Sequence, residues 1–524
     1  MNAPRILDEN GQELPFRFPP QPAQLLSVWL SRNGYALNTR CGGRGLCRGC
    51  ELRRGDRALK ACQTRMDSLE SQTLTLPRAS LHDGSIHGVS AFEIAPGLLS
   101  SLAPYPEARG VALDIGTTTL AASCWRGAPP RCERTATRAN PQRAHGDNVV
   151  SRIQFTLDHP EGLHILRQCL LDEGIQPLLA DICDSNILEQ IVVTGNPAML
   201  HILAGESLRG LATWPFAPAF LDSRELPPSE LGLPPQTRVI LLPSPGPFVG
   251  SDVLAGALAC GCLDAEPPSL LIDFGTNGEI LLRNADGLWA TATAAGPAFE
   301  GGRLQCGAAA GRGVISRFTD SAQLLGPSTS PHAVCHAISG AAYVDALALA
   351  RQSGWLSDHG RLLQHNPLRP APGVVITEAD IAELLQAKAA IQAGWTTLCK
   401  EARVDPASLR RVYVAGGFGY HLTPAHARAI GLLPPVPLDH IHLVGNASLA
   451  GATLALLTAS ALPRMDALRQ TVRLVELNQT DSFEDSYIDA LSLPICEFLS
   501  GIVNPYAGNF VKMPVGREDG AAKL

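Results

Sequence analysis

Four cysteines near the start of the chain have the spacing of a metal-binding loop. Cys41, Cys47, Cys50 and Cys62 form the pattern C-x5-C-x2-C-x11-C. Thiolates bind iron and zinc, and four of them complete the ligand set of a two-iron cluster or of a tetrahedral zinc ion. The pattern therefore predicts that these four residues hold a metal or a metal cluster.

The residues between these cysteines favour a [2Fe-2S] cluster. The spacing is near the C-x4-C-x2-C…C arrangement of plant-type ferredoxins. Small residues let a loop curl around a cluster, and the loop contains Gly42, Gly43, Gly45 and Gly49. A zinc site usually brings two C-x2-C pairs, whereas this segment has one. Zinc and four unligated thiols remain as the alternatives to iron.

Two later segments carry the same acidic and hydroxyl residues between apolar strands. Their D-x-G-T turns begin 159 residues apart, at Asp114 and at Asp273. The first turn contains Asp114, Gly116, Thr117, Thr118 and Thr119, and the second contains Asp273, Gly275, Thr276, Asn277 and Gly278. Such turns offer N–H groups and hydroxyls to an anion, and the aspartate can hold Mg²⁺ through water. A single turn of this kind is more often a plain hairpin, but the pair predicts a duplicated domain that binds one triphosphate.

A glycine-rich segment follows both turns. Residues 411–420 read as a strand that runs into Gly416, Gly417 and Gly419 before a helical segment. Glycines let the backbone close on a flat ligand such as adenosine. A lone segment of this kind is weak evidence, and its place after two phosphate turns makes it informative.

Taken together, these motifs resemble those of the acetate and sugar kinase, Hsp70 and actin superfamily. In that superfamily, phosphate-1, phosphate-2 and adenosine motifs occur in this order across two ribonuclease-H-like lobes. The additional N-terminal cysteine module is similar to that of the reductive activators of corrinoid proteins. Further segments that look like this family are 140–152, 194–201, 296–301 and 445–448.

The resemblance implies a fold and a set of residue roles. An N-terminal β-grasp ferredoxin-like [2Fe-2S] module would precede a two-lobed, ribonuclease-H-like ATPase body. The four cysteines would hold the cluster, and Asp114 and Asp273 would serve Mg²⁺ and the attacking water. The three glycines of residues 411–420 would face the adenosine. Compared with the family, the third and fourth cysteines are closely spaced, and the chain is shorter than members with an extra middle domain.

The resemblance also implies an activity. The protein would use ATP to transfer an electron from its [2Fe-2S] cluster to an inactive Co(II) corrinoid protein or methyltransferase, restoring Co(I). An upstream reductase or ferredoxin would supply the electron, and a homodimer is one option for the assembly. Two alternatives stay open: an ATP-gated electron donor to another low-potential metalloenzyme, and a redox-sensing regulator that binds nucleotide.

These motifs predict a domain order and two local elements. We expect a [2Fe-2S] domain over residues 1–77, a linker over 78–108, a first ATPase lobe over 109–265 and a second over 266–524. Residues 24–34 have the pattern of an amphipathic helix closed by a glycine. Apolar and polar residues alternate over residues 67–77, which predicts the final strand of the first domain.

The bulk composition excludes several classes of function. The chain has 524 residues and a formal net charge of -7, so no overall basic field would gather nucleic acid or anionic lipid. Residues 443–462 are apolar but rich in small residues, which predicts a buried helix rather than a membrane span. The N-terminus lacks the pattern of a secretory signal, and we expect a cytoplasmic protein. The ten cysteines outside the N-terminal group are scattered and are expected to be buried thiols.

Overall fold

The chain forms two compact units in a computed structural model. The first contains Met1–Ile86, Ala295–Lys388 and Leu491–Leu499, and the second contains His87–Ala294, Ala389–Ala490 and Ser500–Leu524. The structure describes residues 4–8, 11–16, 18–33, 35, 37, 50–69, 71–77, 80, 91–146, 148–184, 188–311, 313–326 and 335–494. The predicted domain boundaries at residues 77, 108 and 265 remain predictions.

Strands and helices alternate along most of the described chain. The strands are β1 (Arg5–Leu7), β2 (Glu51–Arg54), β3 (Arg57–Lys60), β4 (Thr73–Thr75), β5 (Ala108–Ile115), β6 (Thr119–Gly127), β7 (Arg131–Ala139), β8 (Gln190–Gly195), β9 (Arg224–Leu226), β10 (Arg238–Leu241), β11 (Ser269–Phe274), β12 (Gly278–Asn284), β13 (Gly287–Thr293), β14 (Val314–Ile315), β15 (Ala337–Ile338), β16 (Leu368–Ala371), β17 (Val374–Ile376), β18 (Arg411–Ala415), β19 (Ile441–Gly445) and β20 (Val472–Leu474). The helices are α1 (Leu26–Arg32), α2 (Leu98–Ser101), α3 (Val149–Asp158), α4 (Gly162–Gln168), α5 (Gln176–Ile182), α6 (Pro197–Ala204), α7 (Arg209–Ala212), α8 (Ser251–Ala259), α9 (Gly340–Gln352), α10 (Glu378–Glu401), α11 (Gly417–Tyr420), α12 (Pro424–Ala429), α13 (Ala447–Leu457), α14 (Ala461–Arg469) and α15 (Asp481–Ala490).

The N-terminal part of the first unit is a four-stranded mixed sheet with one helix. Its strand order is β1-β4-β2-β3, with β1 parallel to β4. The predicted helix is confirmed as α1, and its apolar side chains Leu26, Trp29 and Leu30 are buried in the core. The predicted final strand is only β4, because Met66–Leu69 instead forms a 3-10 turn that buries Met66 and Leu69.

The remainder of the first unit is described by short strand pairs and buried helices. β14 pairs with β15 in parallel, and β16 pairs with β17 in antiparallel fashion. α9 is buried from Gly340 to Ala350, and Asp345 within it accepts a hydrogen bond from the Phe318 N–H. α10 begins in this unit and ends in the second one.

The second unit contains two six-stranded sheets with a repeated strand order. One sheet runs β7-β6-β5-β8-β10-β9 and the other runs β13-β12-β11-β18-β19 with β20 added beside β13. In each sheet, three consecutive strands form an antiparallel meander. Two later strands then extend the sheet and run parallel to the first strand of that meander. A duplicated domain predicts this repeat, and the sheets place the two D-x-G-T turns at equivalent positions.

Two helices lie in the core that joins these sheets. α8 and α13 pack against each other, and α13 also packs on β5 and β8. Every residue of α13 is buried, which confirms the buried helix predicted within residues 443–462. Residues 91–107, inside the predicted linker, contribute Leu98 and Leu102 to the same core.

The second core lies on the opposite face of the first sheet. There Val111, Leu113 and Ile115 of β5 pack with residues of α4, α5 and α6. Alternate side chains of a strand point to opposite faces, so β5 is buried on both sides and holds its end firmly.

Two further predictions concern the scattered cysteines and the absence of a membrane-spanning helix. Among the described residues, all cysteines are free thiols, and those outside the N-terminal group are either buried or, at Cys132, Cys183 and Cys335, partly exposed. In this same part of the chain, none of the helices combines the length and apolarity needed to cross a membrane.

Candidate functional site

The two D-x-G-T turns meet in the second unit. Each follows a strand whose core is fully buried, β5 or β11, and each leads into the antiparallel partner of that strand. The hydroxyl oxygens of Thr118 and Thr276 lie 3.0 Å apart and share a hydrogen bond. The structure therefore brings together two turns that the sequence separates by more than 150 residues.

A buried polar scaffold holds the first turn from behind. The Asn140 side chain donates to the Gly116 carbonyl oxygen at 2.9 Å, and the Asn140 backbone N–H donates to the Thr118 carbonyl at 2.9 Å. The guanidinium of Arg152 donates to the Thr117 carbonyl at 2.5 Å. Three successive carbonyls of the turn are thus tied to the protein interior, which fixes the orientation of its peptide groups.

Arg152 is the centre of this scaffold and is completely buried. Besides Thr117, its guanidinium donates to the carbonyl of Gly146 and to the side-chain oxygen of Gln142, each at 3.0 Å. A buried guanidinium is stable only when its donors are satisfied. The segment 140–152, which the sequence singled out by resemblance, therefore acts as support for the turn. Asp147 of that segment lies outside the described residues.

Two asparagines at helix starts also contact the first turn. Asn196 caps α6 by accepting from the Met199 N–H, and its side-chain nitrogen donates to the Thr117 hydroxyl at 3.0 Å. Asn446 caps α13 in the same manner and donates to Asp114 Oδ2 at 2.9 Å. Because the cap uses the oxygen of each amide, the NH₂ group is left to hold a residue of the turn.

Four carboxyl groups are clustered at the turns. Burial raises the pKa of Asp114 to about 7; the hydrogen bond from Asn446 acts in the opposite direction, and the charge of Asp252 adds to the rise. Burial, followed by the charges of Asp252 and Asp114, raises the pKa of Asp273 to about 8. Burial raises the pKa of Asp252 to about 6 and that of Glu279 well above its ordinary value. Each rise favours the protonated carboxyl, and a cation bound beside these groups would favour their charged forms instead.

Asp252 and Glu279 are the members of this cluster that the sequence analysis missed. Asp252 lies in the first turn of α8, and its neighbour Ser251 anchors the helix start through hydrogen bonds to both the N–H and the carbonyl of Gly195. A glycine followed by a polar residue at the start of a helix recurs at Gly195-Asn196, Gly250-Ser251-Asp252 and Gly445-Asn446. That recurrence is the signal that could have identified Asp252.

The second turn is held by close backbone packing. Gly416 has φ +87°, and a Cβ there would lie 2.3 Å from the Phe274 carbonyl oxygen and 2.9 Å from Asp273 Oδ1. A Cβ on Gly278 would lie 2.0 Å from Cδ1 of Ile391. Only glycine fits at these two positions without a shift of the surroundings.

The glycine-rich segment lies beside the second turn. Gly416 and Gly417 are partly exposed, whereas Gly419 is buried against Val414 and Phe274. Gly416 therefore places open backbone next to Asp273, and Gly419 allows α11 to pack on β18.

The N-terminal cysteine site is described for two of its four residues. Cys50 and Cys62 are 0% and 3% exposed and belong to one apolar core. They flank the hairpin β2–β3, whose tight turn contains Gly55 at φ +57°, and the Ala61 N–H donates to the Cys50 carbonyl. Cys50 precedes the hairpin and Cys62 follows it, so both residues lie at the open end of the hairpin. This placement is compatible with both being ligands of one cluster. Cys41 and Cys47 lie outside the described residues.

The arrangement in the second unit is suited to phosphate chemistry. Backbone turns with hydroxyls can bind phosphate oxygens, and carboxylates are the ligands that Mg²⁺ prefers. A carboxylate that is not engaged with the cation can orient a water for attack on a phosphoryl group. The site thus places groups of the kind that bind phosphate beside acidic groups of the kind that bind Mg²⁺.

Comparisons with known proteins match most of this chain to one family. Residues 109–265 match the family described as the RACo middle region, and residues 267–500 match the C-terminal domain of RACo, the ASKHA domain. A solved structure of a reductive activator for corrinoid, iron-sulfur protein has a TM-score of 0.66 and 25% identity. It covers 94% of this chain and 98% of its own. The family's middle region is therefore present in this chain, at residues 109–265.

Two curated relatives are similar over most of the chain. The corrinoid activation enzyme RamQ of Eubacterium limosum is 27% identical over 418 residues, which cover 72% of this chain and 69% of the relative. A reductase of the Co(II) methylated amine-specific corrinoid protein of Methanosarcina barkeri is 26% identical over 421 residues, 73% of this chain and 76% of the relative.

Proposed function

We propose that this chain, which belongs to the family of reductive activators of corrinoid proteins, uses MgATP to drive the reduction of a corrinoid protein. The cobalt of that partner would pass from Co(II) to Co(I) by gain of one electron. An upstream reductase or ferredoxin supplies the electron, and ATP is hydrolysed to ADP and phosphate.

The observation that carries the ATP assignment is the meeting of Thr118 and Thr276 among the clustered carboxyls. In this proposal the two turns bind the β- and γ-phosphates, and Asp114 and Asp273 serve Mg²⁺ and the attacking water. Asp252 is the third acidic group at the same position. Gly416, Gly417 and Gly419 are proposed to form the adenosine motif, with the partly exposed Gly416 and Gly417 as its open backbone.

The need for ATP follows from the redox chemistry. Formation of Co(I) requires a lower potential than an ordinary [2Fe-2S] cluster supplies, so binding or hydrolysis of nucleotide must favour the transfer. A ligand shifts an equilibrium by its difference in affinity for the two states. The polar contacts that connect Asp114 to α13 and Thr117 to α6 are the means by which bound nucleotide can favour one arrangement of the second unit.

Cys41, Cys47, Cys50 and Cys62 are proposed as the ligands of the [2Fe-2S] cluster. When bound, the cluster supplies single electrons at low potential. The burial of Cys50 and Cys62 in one core supports this assignment, because it keeps water away from the sulfurs.

The test is an anaerobic assay of cobalt reduction. Reduced protein is mixed with MgATP and purified Co(II) corrinoid proteins, and formation of the Co(I) absorption spectrum is followed. We expect Co(I) only when ATP is present, and Asp114→Ala should abolish it while the protein keeps its colour. Absence of ATP-dependent Co(I) with every corrinoid protein tried would refute the function and favour another low-potential client or a regulatory role.

The cluster assignment has a separate test. The anaerobically purified protein should be red-brown with a [2Fe-2S] absorption spectrum and two iron atoms per chain, as two-iron clusters require. Cys62→Ala should lose this spectrum, whereas Cys399→Ala, a change at a buried thiol of the second unit, should retain it. Colourless, zinc-containing protein would contradict the assignment.

A further inference from the structure

The second unit carries an exposed group of aromatic rings that has no part in the proposed nucleotide site. Trp214 is 66% exposed and Phe248 is 44% exposed. The ring of Phe216 joins them, with centroids 6.0 Å from Trp214 and 4.9 Å from Phe248 in edge-to-face geometry. We call Trp214, Phe216 and Phe248 the aromatic patch.

The loops that carry the aromatic patch are firmly anchored. The Ser244 N–H donates to the Leu221 carbonyl at 2.8 Å and so joins the two loops. Ser223 donates to Asp466 of α14 at 2.7 Å. Phe216 has φ +52°, a conformation that bulky residues rarely adopt. The rings are therefore held at the surface by specific contacts, at a cost to the backbone.

The other exposed apolar residues in the described part of the chain are mostly aliphatic, and the aromatic exceptions, Phe18 and Tyr105, are each 42% exposed. Val150, Leu363 and Ile488 are more than half exposed, and all three are aliphatic. Scattered aliphatic exposure is normal on a soluble surface. Tryptophan and its aromatic neighbours are instead the residues enriched at the centres of protein interfaces. The aromatic patch therefore has the composition of a protein-binding surface.

The aromatic patch is continuous with the carboxyl cluster along the chain. Phe248 precedes Asp252 by four residues, and the intervening Gly250 is packed against Gly195 and Asn196 at the nucleotide site. The same loop touches the second sheet, because a Cβ on Gly246 would lie 2.3 Å from Leu474 of β20. A protein seated on this patch would touch the loop that positions Asp252.

We propose that the aromatic patch is the docking surface for the corrinoid protein. This inference rests on the proposed function, in which the substrate is itself a protein and its reduction depends on nucleotide. Such a substrate must contact an element that the nucleotide site can sense, and residues 243–252 are continuous with both. A second copy of this chain has no such requirement for contact with Asp252.

The experiment compares variants with the corrinoid protein that wild-type protein reduces in the anaerobic assay. Trp214→Ala and Trp214→Glu should raise the Kd for that protein, measured by microscale thermophoresis, by at least about tenfold, as expected for an aromatic hot spot. Trp214→Phe should retain most of the affinity. Ile488→Ala and Leu363→Ala are matched exposed controls and should bind as wild type does.

Two further measurements distinguish a loss of docking from a loss of folding and from a loss of the ATPase activity. ATP hydrolysis without the corrinoid protein, and the melting temperature, should be unchanged in the Trp214 variants. If wild-type protein forms Co(I) and the Trp214 variants bind as tightly as it does, the docking proposal is overturned while the function stands. If the variants instead only dissociate a dimer of this chain, the patch is a self-association surface, which also overturns the proposal. If wild-type protein forms no Co(I), the proposed function fails first.

Discussion

The first and second phosphate turns share a motif but are held in place by different means. The first depends on buried polar groups, in particular Arg152, Asn140 and Asn446. The second depends on close packing against glycines, with Gly416 against Asp273 and Gly278 against Ile391. Two copies of one local structure have therefore reached similar positions through unrelated contacts.

The electrostatics of the two turns differ accordingly. Asp114 accepts a hydrogen bond from Asn446, which opposes the rise of its pKa. For Asp273, burial and two neighbouring carboxyls all raise the pKa. The second turn also carries the buried Glu279 at the position equivalent to Leu120 of the first. We infer that the first turn is the more rigid anchor and that the second is the one whose charge changes most when a cation binds.

The largest expected effect is on ATP hydrolysis. Asp114→Asn and Asp273→Asn should each lower kcat by a hundredfold or more, on the order found for loss of a key electrostatic group. Their stabilities should differ, because the hydrogen bond from Asn446 favours the charge of Asp114, whereas burial and the neighbouring carboxyls all disfavour the charge of Asp273. At pH 8 we expect a higher melting temperature for Asp273→Asn and little change for Asp114→Asn. Equal shifts in both variants would contradict the comparison.

Loss of the buried guanidinium should be the next largest effect. Arg152→Met leaves the Thr117 and Gly146 carbonyls without their donor, which costs about 3 kcal/mol of unfolding free energy. Because the turn is then less well held, KM for ATP should rise while the cluster spectrum is unaffected. Denaturant unfolding and steady-state kinetics measure both effects. Arg238→Met, at an exposed ion pair with Glu225, is the control and should cost less than about 1 kcal/mol.

The raised pKa values predict the pH dependence of stability. Below about pH 4 these carboxyls are protonated in both states, and between that pH and their raised pKa values of about 6 to 8 the folded protein binds more protons. The stability that this provides is lost as pH rises through that window, at up to about 1.4 kcal/mol per pH unit for each group.

Thermal melts of nucleotide-free protein between pH 6.8 and 8 test this sign. Asp273→Asn removes one titrating group, so its melting temperature should fall less steeply with pH than that of wild-type protein. Saturating MgATP should also flatten the wild-type profile, because the cation takes the place of the protons. A wild-type slope that is no steeper than that of the variant would contradict the pKa assignment.

The smallest effect is expected from the packing of the second turn. Gly278→Ala places a methyl group against Ile391, whose flexible end can move, and we expect a loss of about 1 kcal/mol. The double variant Gly278→Ala, Ile391→Val should recover part of that loss in the same unfolding assay. Failure of the second change to compensate would show that the backbone, and not Ile391, limits the space at Gly278.

The parts of the fold that the sequence predicted are local in origin. Alternating or continuous apolar runs identified the strands before both turns and the buried helix α13, because periodicity reports which faces are buried. The same reasoning extended the strand at residues 67–77 too far. Met66 and Leu69 are both buried and lie three residues apart, which is the spacing of one face of a 3-10 turn, whereas a strand would point them to opposite faces.

The sequence by itself determined the order of the motifs, the duplication and the chemical groups at each turn. Only the tertiary structure decided which groups meet: Thr118 bonds Thr276 across 158 residues, and Asp114 accepts from Asn446 across 332. It also added Asp252 to the carboxyl cluster through the start of α8. The physical reason is that motif spacing and apolar periodicity are local properties of the chain, whereas the partners of a buried polar group depend on how the two sheets and the helices between them pack.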